Sequence, residues 1–314
     1  MSGIHHVTAI SGRASRNVDF YTRTLGLRLV KKTVNFDDPG TYHLYYGDEQ
    51  GTPGTILTFF PWEHAAPGRN GDGLAEETAF RIPPESIGYW THRFIEKGVA
   101  HKALEKRFGE PVLAFSDPDG MSLALVGVAG ASSGPAWNDG TVPAEHAIRG
   151  FHGVTLMLDK AAPTGAVLTG VFGFQETGRE GHLVRYATDQ TKWGNVVTIR
   201  ETGGFLPGRI GRGSVHHIAF RAADDAQQAE MAEIVRSAHG LVPTQQLDRS
   251  YFRSVYFREP GGILFEIATD EPGFAVDEPA ASLGRELKLP AFLEARRREI
   301  EAALPPIEET ERAA

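Results

Sequence analysis

One order of elements, strand–helix–strand–strand–strand, recurs four times along these 314 residues, and that repeat restricts the fold more than anything else in the chain. The first copy spans residues 4–60. His6–Ile10 reads as a strand, and Ala14–Leu25 as a helix with Val18, Tyr21 and Leu25 on one face before a capping Gly26. Strand-like runs follow at Arg28–Phe36, Tyr42–Tyr46 and Thr55–Phe60. Residues 77–127 repeat the order: Thr78–Ile82, a helix near Ser86–Lys97, then Val112–Phe115 and Ser122–Val126. Asp117-Pro118-Asp119-Gly120 supplies the hairpin turn between the last two. The third copy, 151–201, has a helix near Ala161–Val171 and a last strand at Val196–Arg200. The fourth, 214–270, has a helix over Asp225–Ala238 and a final turn at Pro260-Gly261-Gly262.

A βαβββ module has a sheet too small to bury its own face, so two modules must close together into a cup. The expected class is therefore α+β, four βαβββ modules paired into two cups. In each module the first and last strands are expected side by side at the middle of the sheet. A linker rich in Gly, Ala, Ser and Pro near Gly127–Pro143 divides the chain into halves, residues 1–140 and 141–314, with two modules each. A polar helical segment at Ala291–Ala303 and an acidic tail close the chain as a surface strap without chemistry.

Composition removes several functions. A net charge of -8 lacks the basic surface that nucleic acid requires. The apolar runs are strand-length, too short to span a bilayer, and no signal-like N-terminus precedes Gly3, so a cytoplasmic location is expected. With no cysteine there are no disulfides, thiolate nucleophiles or Cys-bound zinc. Any metal must be held by His and carboxylates.

Such a set is present. Ile4-His5-His6-Val7-Thr8 opens module one, and Val215-His216-His217-Ile218 opens module four at the matching place. A lone strand His is more often a hydrogen-bonded core residue, but the same position recurring in two repeats is not explained that way. Module four ends on Leu264-Phe265-Glu266-Ile267, where a carboxylate inside an apolar strand is costly unless paired or metal-bound. Side chains alternate across a strand, so one His of each pair should be the ligand, and the apolar phase does not say which. The partner imidazoles, whichever they are, orient a neighbour from behind or join the site through a local bulge. In module one Phe59 falls at the place matching Glu266, and module three aligns Phe151-His152-Gly153 with Ile4-His5-His6, leaving Gly153 at the second His. Only modules one and four carry ligands. They are expected to face each other in one cup, with two and three forming a metal-free cup. Arg249 and Tyr256 lie on the strand before Glu266 or its approach, where function and core packing weigh equally. The remaining histidines (43, 64, 92, 101, 146, 152, 182 and 239) recur in no pair and receive no role. No Gly-rich phosphate loop precedes a helix, and Gly211-Arg212-Gly213 is a connector.

The repeat resembles the vicinal oxygen chelate superfamily of glyoxalase I, bleomycin-resistance proteins and extradiol dioxygenases. Val30-Lys31-Lys32-Thr33-Val34, Tyr42-His43-Leu44-Tyr45-Tyr46, Gly51-Thr52-Pro53-Gly54-Thr55, Arg149-Gly150-Phe151-His152, Arg249-Ser250-Tyr251-Phe252 and Ser282-Leu283-Gly284, with the two His pairs and Glu266, narrow it. Together they resemble the hydroquinone ring-cleaving dioxygenases, the group of 2,6-dichlorohydroquinone 1,2-dioxygenase. That resemblance implies His6, His217 and Glu266 as ligands of Fe(II), in preference to Mn(II) or Zn(II). It implies Tyr256, Arg249, His5 and His216 as catalytic groups and Thr8 and Arg249 against substrate, and the module alignment adds Phe59 to the substrate side. The partners implied are a small aromatic substrate and O2, with self-association into a homo-oligomer left open. Two other readings compete: a glyoxalase-like lyase or isomerase using Mn(II), Ni(II) or Zn(II) without O2, and a non-catalytic quinone- or drug-binding protein, which would not need a ligand triad.

Overall fold

The computed structural model describes residues 3–134 and 136–307. The first module is β1 (Ile4–Ser11), α1 (Ala14–Asp19), β2 (Arg28–Asn35), β3 (Asp38–Gly47) and β4 (Ile56–Pro61). The second is β5 (Leu74–Ile82), α2 (Ile87–Lys97), β6 (Glu105–Arg107), β7 (Glu110–Ser116) and β8 (Ser122–Gly127). The third is β9 (Phe151–Leu158), α3 (Ala161–Phe172), β10 (Gln175–Glu180), β11 (Leu183–Ala187) and β12 (Val196–Glu201). The fourth is β13 (Ser214–Ala222), α4 (Asp225–Ser237), β14 (Leu247–Asp248), β15 (Phe252–Arg258) and β16 (Leu264–Pro272), and α5 (Arg297–Ala303) follows.

Local chemistry sets the helix ends. Gly98 and Gly173 stop α2 and α3 in the left-handed region, at φ +66° and +68°. Asp224 caps α4 by accepting from the Gln227 amide at 2.9 Å, while Gln227 Oε1 reaches back past the cap to accept from the Ala223 amide at 2.7 Å. Two elements differ from expectation. The first helix is α-helical only to Asp19 and continues as a π turn over Phe20–Thr24. The C-terminal helix begins at Arg297, after a 3-10 turn, rather than at Ala291. The acidic tail lies beyond residue 307, outside the described residues.

The sixteen strands form two eight-stranded sheets. One has the order β14-β15-β16-β13-β1-β4-β3-β2 and contains modules four and one; the other, β10-β11-β12-β9-β5-β8-β7-β6, contains modules three and two. Within each module the first strand is at the edge, not in the middle. It becomes central only because β1 pairs antiparallel with β13, and β5 with β9. The paired modules therefore do not face each other as separate layers. They join edge to edge and curl as one sheet. An unpaired first strand would leave a row of open backbone donors and acceptors, which explains why a module does not stand alone.

The two sheets meet where Gly54 N donates to His5 O and Phe151 N donates to Gly54 O, both at 2.8 Å. The main core lies between sheets and helices and contains Leu44, Tyr46, Leu57 and Phe59, while Tyr45, Ile56, Ala219 and Phe252 belong to a smaller cluster. Among the described residues no helix is long and apolar enough to cross a membrane.

Candidate metal and active site

Three buried side chains from the central strands of the first sheet converge. Ligand atoms of His6 on β1, His217 on β13 and Glu266 on β16 all lie within 4.8 Å of one another. His217 Nε2 is 3.0 Å and His6 Nε2 is 3.3 Å from Glu266 Oε2. Yet that oxygen makes no hydrogen bond of acceptable geometry, although it is buried. A buried carboxylate oxygen faced by two imidazole nitrogens, without a hydrogen bond of good geometry to either, is a donor set that could hold a metal ion. Burial would raise the Glu266 carboxyl, but His6 and His217 hold it well below the usual range. Its other oxygen accepts from Ser254 Oγ at 2.5 Å, which fixes the rotamer.

Register explains the convergence. His217 stands opposite Thr8, His6 opposite Ala219, and Ala219 pairs with Glu266 on the parallel neighbour. The register of β1 against β13 slips twice, once between Ile4 and His6 and once between Thr8 and Ala9. The extra residues in those slips are His5 on β1 and His216 on β13. A bulge breaks strict alternation and can bring consecutive side chains to one side. Nδ1 of His5 lies 2.9 Å from Nδ1 of His6, and Nδ1 of His216 lies 2.8 Å from Nδ1 of His217. Burial, then the neighbouring imidazole, pulls His5 well below its ordinary pKa and His216 down to about 4.

The cluster floors a cavity of about 440 Å³ lined by Phe36, Phe60, Trp62, Phe252 and Leu264 with polar groups between them. Tyr256 is directly opposite Glu266 on β15, and its hydroxyl is pushed above the ordinary phenol range by burial and by Glu266, against the pull of Arg249. Arg249 comes from the turn before β15. Ser250, next to it, has φ +68°, and Asp248 Oδ1 holds the Ser250 amide at 2.7 Å, so the turn aims the guanidinium over the Tyr256 ring at 5.6 Å. Thr8 is buried and reaches the cavity through a chain. Tyr45 OH donates to His43 Nδ1 at 2.8 Å, His43 Nε2 to Thr58 Oγ1 at 2.8 Å, and Thr58 Oγ1 to Thr8 Oγ1 at 3.0 Å, a direction that assigns the His43 proton to Nε2.

Phe59 is a correction. It is fully buried in the main core against Tyr21 and Tyr46, away from the cavity. In the actual register Thr58, not Phe59, pairs with Thr8 as Glu266 pairs with Ala219. Matching the two turns without a gap shifted the comparison by one residue, and one residue in a strand changes faces. His43, given no role from sequence, lines the cavity, as do Phe60 and Trp62. The period-two pair His43/Tyr45 on β3 was the available signal.

The first 125 residues carry the class of protein: residues 3–125 match the family model described as the Glyoxalase/Bleomycin resistance protein/Dioxygenase superfamily. Glyoxalase I from Zea mays shares the fold at TM-score 0.64, with 14% identity over 86% of this chain and 93% of that one. Full-length likeness is closer. A Bacillus subtilis protein named as a ring-cleaving dioxygenase, MhqO, is 46% identical over 98% of this chain and 96% of its own. The chlorohydroquinone/hydroquinone 1,2-dioxygenase of Sphingobium indicum is 34% identical over 94% of this chain and 93% of its own. A crystal structure from Bacillus subtilis described as a dioxygenase superposes at TM-score 0.94, with 44% identity, over 99% and 98% of the two chains. The chain belongs to this superfamily, within its ring-cleaving dioxygenases. It is an enzyme of the dioxygenase type.

Proposed function

We propose that the protein is an Fe(II)-dependent dioxygenase that opens the ring of a hydroquinone. The observation that carries the reading is the unsatisfied Glu266 oxygen facing two imidazole nitrogens at the floor of an aromatic-walled cavity. Two neutral nitrogens, one carboxylate and no thiolate suit Fe(II) and leave further positions open. His6, His217 and Glu266 would hold it. Bound there, iron supplies the one-electron traffic between an electron-rich ring and O2 that side chains cannot carry.

The remaining groups bind, orient and move protons. For Nε2 of His6 and His217 to be ligands, Nδ1 of each must keep its proton, and His5 and His216 accept it across the short Nδ1 contacts. The His5 proton then sits on Nε2, which faces the Thr269 backbone without completing a hydrogen bond. The two hydroxyls of a para-diol point away from each other, so one metal cannot take both. Arg249 is the cation available for the distal oxygen or for developing negative charge. Tyr256, kept protonated by its raised pKa, is a proton donor beside the reacting ring. The Tyr45–His43–Thr58–Thr8 chain braces the wall opposite.

Metal content measured together with an oxygen-electrode trace on hydroquinone and catechol tests the reading. Stoichiometric iron and O2 consumption on hydroquinone are expected. Catechol outrunning every hydroquinone would remove the para-diol assignment. Activity with Mn(II), Ni(II) or Zn(II) and no O2 uptake would favour an isomerase. Tyr256→Phe should lower turnover by about 10²–10⁴-fold while keeping iron. Arg249→Ala should raise KM as well as lower kcat, and wild-type kinetics in both variants would withdraw these roles.

A further inference from the structure

We propose that Asp37 determines specificity: by standing against Arg249 at the cavity mouth, it makes the pocket reject aromatic diols that carry a carboxylate and accept uncharged ones. The inference rests on the ring-cleaving reading and concerns the same cavity. Arg249 is the only Lys or Arg among the described residues lining it, whereas Asp37 and Asp38 both stand on its lip. Asp37 Oδ2 is 3.4 Å from the Arg249 guanidinium, with the arginine side chain 22% and the aspartate 78% exposed. On its inner side the same guanidinium lies over the Tyr256 ring. The one side-chain cation at the mouth that could meet a substrate carboxylate is thus already matched by an acid. The apolar part of the wall, Phe36, Phe60, Trp62, Phe252 and Leu264, offers an anion nothing to offset its lost hydration, and the polar groups between them, such as Asn35 and Tyr45, are uncharged.

The lip is built to keep Asp37 there. Asn35 Oδ1 accepts from the Asp37 amide at 3.0 Å, and Phe36 packs edge-on against Phe292 with ring centres 5.9 Å apart. Asp38 is committed to its own turn, accepting from Thr41 Oγ1 at 2.8 Å. Asp37 alone directs its carboxylate at Arg249.

The test uses full-length, iron-loaded protein under anaerobic conditions and one matched pair of ligands, 2,5-dihydroxyphenylacetate and its methyl ester. They share a skeleton and differ by one charge. Calorimetric dissociation constants should favour the ester in the wild-type protein. Asp37→Asn should narrow the acid-to-ester ratio by at least about threefold, the scale of a partly exposed charge pair. Added salt should narrow the wild-type ratio and leave that of the variant nearly fixed. Glu230→Gln, the same change in net charge on an exposed helix position, should leave the ratio alone. Equal binding of acid and ester by the wild type, or an unchanged ratio in Asp37→Asn, overturns the proposal, and failure of both ligands to bind overturns it together with the parent reading. Oxygen uptake on the ester is scored separately: its absence sinks the dioxygenase assignment while the binding ratio still reads Asp37.

Discussion

The two sheets are built from the same module in the same register, yet among the described residues only one gathers a possible metal set. In the first, the four equivalent inward positions hold His6, His217, Glu266 and Thr58. In the second, the slips in register fall at the same places, with Glu76 and His152 as the extra residues. Counting from those slips, the four positions hold Glu77, Gly153, Thr198 and Ala124. Glu77 does not find imidazoles. It pairs with Arg107 at 2.5 Å, while Glu110 binds Arg185 at 2.7 Å and lies 3.2 Å from His152. About 30 Å³ remains beside Gly153 and Thr198 and about 190 Å³ on the far side of Glu77 and Arg107, against a single cavity of about 440 Å³ over the first set. One scaffold thus does opposite things with buried charge. The second cup cancels it internally, and the first leaves a carboxylate oxygen unsatisfied.

Substitution at equivalent positions should separate the two roles most sharply. Glu266→Gln keeps an acceptor for Ser254 but removes the charge between the two imidazoles, and should take iron and O2 uptake to background in a folded protein. Glu77→Gln, at the position matching His6, should keep iron and turnover. It should cost about 1–3 kcal/mol of stability by leaving Arg107 short of its partner. Iron analysis and denaturant titration on both variants decide this, and full iron in Glu266→Gln would dissolve the contrast.

The second effect is smaller and purely steric. A Cβ on Gly153 would lie 2.0 Å from the Val196 carbonyl oxygen on β12, whereas the matching His217 carries its side chain without obstruction. The second cup therefore cannot accept a ligand there by simple substitution. Gly153→Ala should destabilise the protein by about 1–3 kcal/mol or more, since backbone must move. Iron per folded molecule should not change. A melting temperature equal to wild type would mean that β9 and β12 separate more easily than their pairing implies.

The repeat, the sharing of a sheet by modules one and four, and the convergence of one His from each pair with Glu266 were legible because each follows from recurrence: the same order, the same dipeptide, one carboxylate in an apolar strand. Which His of each pair converges came only from the family resemblance. Strand position within a module was not legible. The first strand looks central from its apolar content, but it earns that burial from β13, a partner far along the chain. The bulges at His5 and His216 were also hidden, since a bulge is a relation between two strands and one strand's alternation cannot show it. Phe59 was misplaced for a related reason, a one-residue difference in turn length. Arg249 was named from the sequence, but Asp37 reaches it from a distant part of the chain with no shared motif, so nothing local announced their pairing.

The last comparison concerns the joint between the sheets, where the expected effect is a pH dependence of stability and not a change in iron or turnover. Tyr21, beside the first sheet, donates its hydroxyl to Asp117 Oδ2 at 3.0 Å in the Asp117–Gly120 turn of the second. The turn's other carboxylate, Asp119, accepts from the Gly12 amide at 2.8 Å and pairs with Arg16. Burial raises the Asp117 carboxyl to about 6 from an ordinary 3.8, with Asp119 adding repulsion and the Met121 amide and Tyr21 opposing. Between those values the folded state holds a proton that the unfolded chain has released. Stability must therefore fall as pH rises through that window, by up to about 1.4 kcal/mol per pH unit from this group alone. Asp117→Asn keeps the turn's carbonyl acceptor and can still meet Tyr21 through its amide, but it cannot titrate. Urea unfolding of both proteins from pH 4 to 7 should show the wild type losing stability relative to the variant across that interval, and then running parallel to it above. Parallel curves throughout would mean that Asp117 is ionised in the fold at pH 4, and that the joint between the two sheets carries a charge it does not need to desolvate.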